Sequence, residues 1–116
     1  MKATMLTSEA ILAHKSGKLV SIVCKYKKAV KVLKALISLP ETKIVGVEVN
    51  DAAWDNYDGA WLITIDEVGG VFCQKAINDR NDMPFRGEGY YLIDEKALDG
   101  YKPEDFTLGN SEIRVV

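Results

Sequence analysis

The sequence predicts an α+β domain: two N-terminal helices packed on a mostly antiparallel sheet of five or six strands. Three observations predict it. The segment 26–39, YKKAVKVLKALISL, carries apolar residues at three-and-four spacing with lysines opposite. Most later segments are short β-branched or alternating runs, and stretches rich in Gly, Asn and Asp punctuate them. With 116 residues, 47% hydrophobic and 28% charged, and no linker, repeat or low-complexity tract, the whole of 1–116 reads as one domain.

The first helix is expected over SEAILAHKS, with Thr7 or Ser8 accepting from the free amides of its first turn and Gly17 supplying a left-handed stop. KLVSIVCKY follows as a β-branched strand. In the second helix Tyr26, Ala29, Val30, Leu33, Leu36 and Ile37 form the expected apolar face, and Pro40 ends it for want of an amide proton. KIVGVEV alternates Val45, Val47 and Val49 against Ile44, Gly46 and Glu48, the pattern of a half-buried strand. With the strand before the helix it suggests a βαβ unit.

AWLITIDEV and VFCQKAI flank Gly69-Gly70, a hairpin signal because both glycines tolerate positive φ. A two-residue turn there sets Val68 opposite Val71 and puts Trp61, Ile63, Ile65 and Phe72 on one face, with Asp66 diagonal to Lys75. The polar loop NDRNDMPFRGEG precedes a further strand in YYLIDEKAL, and IRVV reads as the last strand.

Charge is segregated. From Met1 to Lys43, nine lysines meet two glutamates, a balance of +7; from Ile44 onward, six basic residues meet fifteen acidic ones, a balance of −9. A chain so divided is dipolar, which bears on its partners. Cys24 and Cys73, without histidine partners and inside apolar runs, read as buried small hydrophobes. No apolar run is long enough to span a bilayer, and the N-terminal stretch does not read as a signal peptide, so a cytoplasmic protein is expected.

The segment NDAAWDNYDGAW concentrates acids and aromatics. As an EF-hand loop it fails: with Gly59 at the sixth position, Trp54 takes the first and Ile65 the twelfth, and neither side chain ligates calcium. A looser site from Asp51, Asp55 and Asp58 is a minor reading, and neither a metal nor a cofactor is expected. Asp58-Gly59 suits a tight turn, with Trp61 entering the core.

The functional expectation is a macromolecule-binding domain without catalytic activity, an inhibitor or adaptor whose partner is another protein. Its contacts are expected at the tip Trp54, Asp55, Tyr57 and Asp58 and in the polar loop at Arg80, Asp82, Phe85 and Arg86, where charges and aromatics coincide on loops. The alternative is nucleic-acid binding through the Lys-rich helix 25–38, with Lys27, Lys28, Lys31 and Lys34 facing phosphates. A second alternative is a small metal-dependent hydrolase or nuclease. It rests on Asp94, Glu95 and Lys96 after a strand with Asp66 upstream, a faint echo of acid–acid–lysine sites. His14, Ser21 and the short GEG at 87–89 carry no catalytic context. Edge pairing of an open sheet also allows a homodimer.

Overall fold

A computed structural model describes residues 3–38, 44–49, 59–75, 89–98 and 111–116. The order is α1 (Ala3–Lys15), β1 (Val20–Lys25), α2 (Tyr26–Ile37), β2 (Gly46–Val49), β3 (Ala60–Ile65), β4 (Gly70–Lys75), β5 (Gly89–Ile93), a 3-10 turn (Glu95–Ala97) and β6 (Ser111–Val115). The α+β class, the two helices and the six strands are as expected. The strands form one mixed sheet in the order β2-β4-β3-β1-β5-β6. β1–β3 and β3–β4 pair antiparallel, whereas β1–β5, β2–β4 and β5–β6 pair parallel.

β1 holds this arrangement together. Its run VSIVC is buried at every position, as befits a central strand covered on both faces. On one face Val20, Ile22 and Cys24 join Trp61, Ile63 and Ile65 of β3, Leu92 of β5 and the inner residues of both helices in the main core. On the other, Val23 packs with Leu62, Tyr91, Ile93 and Ala97 in a smaller cluster. The hydroxyls of Ser21 and Thr64, opposite each other in the β1–β3 register, satisfy one another at 3.2 Å.

Several details differ from the sequence expectation. α1 begins at Ala3, four residues before the expected cap, and Thr7 is buried inside it. Leu6 and Ala10, one turn apart and both fully buried, draw the first turn onto the core, so packing overrides the local cap signal. The helix stops as expected: Gly17 has φ +84°, and the Lys18 amide donates to the Ala13 carbonyl at 3.2 Å, a left-handed C-terminal motif. In α2 the inward stripe is Ala29, Val32, Leu33 and Leu36, and Ile37 is exposed. The apolar face is therefore rotated from the expected one by the inclusion of Val32.

β1, α2 and β2 do form a β–α–β passage, but β3 and β4 are inserted between the two strands. The hairpin also takes a longer turn. Asp66 N–H donates to the Gly70 carbonyl at 2.9 Å, and the Asp66 carboxylate accepts from Val68 N–H at 3.0 Å and Gly70 N–H at 2.7 Å. Closing at Asp66 pairs Ile65 with Val71 and Thr64 with Phe72. Phe72 thus lies on the face opposite Trp61, and Asp66 serves the turn instead of reaching toward Lys75. An aspartate whose side chain mimics a backbone acceptor outcompetes the Gly-Gly pair as turn former.

The junction of β1 and β5 leaves no room for a side chain at Gly89. This residue has φ +111°, and a Cβ there would stand 2.7 Å from the Leu19 carbonyl oxygen. That same carbonyl accepts from Tyr90 N–H at 2.7 Å, opening the β1–β5 ladder. Gly89→Ala is expected to lower the unfolding free energy by roughly 1–3 kcal/mol in urea denaturation, because it combines positive φ with a backbone clash. An unchanged midpoint would show that the junction relaxes without cost.

Candidate functional site

Among the described residues the chemistry-bearing side chains fall into a buried ion pair, a lysine face and an apolar sheet edge. The ion pair joins Lys28, in the first turn of α2, to Asp94 at the end of β5: Nζ to Oδ2 is 2.7 Å, with side chains only 18% and 5% exposed. Asp94 N–H donates to the Val23 carbonyl at 2.8 Å, and its Oδ1 accepts from Lys96 N–H at 3.3 Å, which starts the 3-10 turn. Both partners are thus committed to joining α2, β1 and β5, since burying either charge alone is costly.

This pairing divides the four lysines expected to act together. Lys27, Lys31 and Lys34 are exposed along α2, which contains no acidic residue. Lys28 is half-buried and neutralised by Asp94. At 1.5 Å rise per residue, the three exposed lysines span about 10 Å, one stripe of positive charge.

The acid–acid–lysine combination does not assemble. Asp66 follows β3 beyond the Val20–Ile65 pair, whereas Asp94 follows β5 beyond Val23–Ile93, so they stand at opposite ends of the sheet. Glu95 and Lys96 are exposed on the 3-10 turn. No group of three or more His, Cys, Asp or Glu residues fit to hold a metal occurs among the described residues. Asp51, Trp54, Asp55, Tyr57, Asp58, Arg80, Asp82, Phe85 and Arg86 lie outside the described residues.

Sequence reasoning missed the β2 edge. The alternation Val45, Val47, Val49 is real, and Val47 packs against the main core. Val45 and Val49, however, are 75% and 45% exposed, and Val68, on the Val45 side, is 74% exposed. The helices pack over β1, β3 and β5, while β2 is outermost among the described strands. Gly46 and Gly70 are paired in the β2–β4 register, next to the Glu48–Phe72 pair. Their missing side chains help form a shallow groove of about 280 Å³ lined by β2, β4 and Val68.

The opposite edge differs. Arg114 of β6 reaches Glu9 of α1 at 3.1 Å, and Glu112 reaches Lys18 at 3.2 Å. Lys18 Nζ also stands 4.9 Å from the ring centroid of Tyr90. Charges along an edge strand discourage further pairing. β2 has only Glu48 for that purpose.

Both thiols are buried and free. Burial, reinforced by the Asp94 carboxylate and by Cys73, pushes Cys24 up to about 12, with Lys28 opposing weakly; burial alone raises Cys73 to about 12. Neither is a nucleophile at neutral pH. No helix among the described residues is long and apolar enough to cross a membrane. No protein-family model, curated protein or solved structure matches this chain.

Two outcomes are expected. Asp94→Ala strands Lys28 in a half-buried site and costs about 3 kcal/mol of stability, measured by denaturant titration. For the thiols the unfolded value is 9.0 and the folded one about 12, so their stabilising contribution is complete below pH 9 and is lost as pH rises toward 12. Wild type should therefore lose stability more steeply than Cys24→Ala between pH 8 and 11.

Proposed function

We propose that this domain acts by binding another protein, as an inhibitor or adaptor and not as a catalyst, and that β2 is its docking edge. The observation behind the reading is the exposure of Val45, Val49 and Val68 around an outermost strand that carries a single charge. An extended segment added to such an edge gains backbone hydrogen bonds, and alternate side chains supply specificity. The contrast with β6, whose charges are tied to α1 and to Lys18, supports β2 as the receptive side. The contacts expected from the sequence at Trp54, Asp55, Tyr57, Asp58, Arg80, Asp82, Phe85 and Arg86 belong to the same protein-binding proposal. A cytoplasmic setting suits two buried free thiols.

A second reading, nucleic-acid binding, is favoured by one observation: Lys27, Lys31 and Lys34 are exposed on a helix without carboxylates. Lys28 has no part in it.

Immobilised wild-type protein, a Val45→Lys/Val49→Lys variant and a Lys27→Glu/Lys31→Glu/Lys34→Glu variant separate the two. The edge reading expects partner capture to be lost with the valine variant and kept with the lysine variant. Salt-sensitive retention on heparin or DNA, abolished by the glutamate variant alone, would favour the second reading instead. Alanine at Trp54 and Tyr57 is expected to weaken capture without lowering the melting temperature.

A further inference from the structure

We infer that the occupant of the β2 edge is β2 of a second copy, paired antiparallel about Val47, giving a twofold dimer with one continuous sheet. This rests on β2 being the docking edge and adds the partner and the register.

The backbone fixes which groups are on offer. Val45 N–H donates inward, to the Gly69 carbonyl at 3.1 Å. The ladder beyond it takes the other phase: the Gly70 carbonyl accepts from Asp66 N–H on the β3 side, so Val71 and Cys73 turn toward β2 and, standing opposite Val47 and Val49, bond Gly46 and Glu48. Val47 and Val49 therefore present their N–H and C=O groups outward. An incoming antiparallel strand forms its closely spaced hydrogen-bonded pairs at such residues.

Symmetry restricts the register. A twofold axis perpendicular to the sheet keeps both helix layers on one side. Directly opposed residues in an antiparallel pair share a face, so the axis must pass at a residue, not between two. Within β2 the useful centres are Gly46, Val47 and Glu48. Centring on Glu48 sets two carboxylates directly opposite, which is destabilising. Centring on Gly46 sets Glu48 against Ile44 and leaves Val49 beyond the described strand.

Centring on Val47 uses the whole strand. Gly46 and Glu48 of one copy stand opposite Glu48 and Gly46 of the other as non-hydrogen-bonded pairs, and each carboxylate meets a residue with no side chain. Gly46 has room for this, as nothing stands within 4 Å of where its Cβ would be. Val47 faces its own counterpart as a hydrogen-bonded pair, exchanging N–H and C=O across the axis. Val45 faces Val49 of the second copy, and the reverse. The two valines most exposed on β2, at 75% and 45%, thereby cover each other. The strand is complementary to itself in composition, charge and backbone direction, a match that an unrelated strand would have to reproduce residue by residue.

Sedimentation velocity of the full chain over a concentration series, with melting temperatures for each variant, tests both partner and register. Wild type is expected to shift from monomer to dimer as concentration rises. Val45→Lys/Val49→Lys sets lysine against lysine twice and is expected to weaken the dimer about tenfold or more. Val45→Lys/Val49→Glu sets lysine against glutamate twice in this register and is expected to restore it. Val47→Pro removes an outward amide while sparing those bonded to β4, and is expected to give a folded monomer.

Equal weakening of the Lys/Lys and Lys/Glu variants, or no weakening in either, would overturn the register. A wild type that stays monomeric throughout would overturn the dimer. If that monomer still captured a different protein in a Val45- and Val49-dependent way, the edge reading would stand without the self-pairing; if it captured none, both would fall.

Discussion

The burial of β1 on both faces is the constraint on which the other features depend. A strand enclosed in this way must spend every backbone hydrogen bond on neighbouring strands, since no water reaches it. β3 satisfies one side and β5 the other. With β1 fixed, α2 starts directly from its end, and the Lys28–Asp94 pair ties that helix to the strand on β1's far side. The main core and the smaller cluster are then the two faces of the same central strands.

Local chemistry was legible in the sequence where one residue type decides the outcome. Gly17 stops α1 because its backbone turns left-handed, and Trp61 enters the core from an alternating strand. Features decided by distant residues were not legible. Nothing in YYLI reveals that β5 lies parallel to β1, because the pairing depends on which edge remains open after β3 has paired. The Gly69-Gly70 signal competed with Asp66, whose carboxylate caps two amides and moves the register. In α2, Val32 and Ile37 exchange inside for outside because the helix is rolled by its contact with α1 and the sheet.

The candidate surface shows the same division. Lysine spacing on α2 was readable, but the removal of Lys28 depends on Asp94, sixty-six positions further along the chain. The valine alternation in β2 was readable too, yet an alternating strand is half-buried only when a layer covers it. Strand order, not strand sequence, leaves Val45 in water. The two edges also follow opposite strategies: β6 carries charges engaged by α1 and Lys18, and β2 carries small and β-branched residues with a lone carboxylate.

The parallel β1–β5 ladder has a consequence for how the chain comes together. It joins Val20 to Tyr90, residues seventy positions apart, while β3 meets β4 across a short turn. Loop-closure entropy favours the hairpin early and taxes the long-range pairing. During synthesis, α1, β1, α2 and the hairpin all precede the strand that closes β1's second side. Until Ile93 has emerged, the central strand of the sheet has an open flank, so the sheet that forms during synthesis is completed only when β5 arrives.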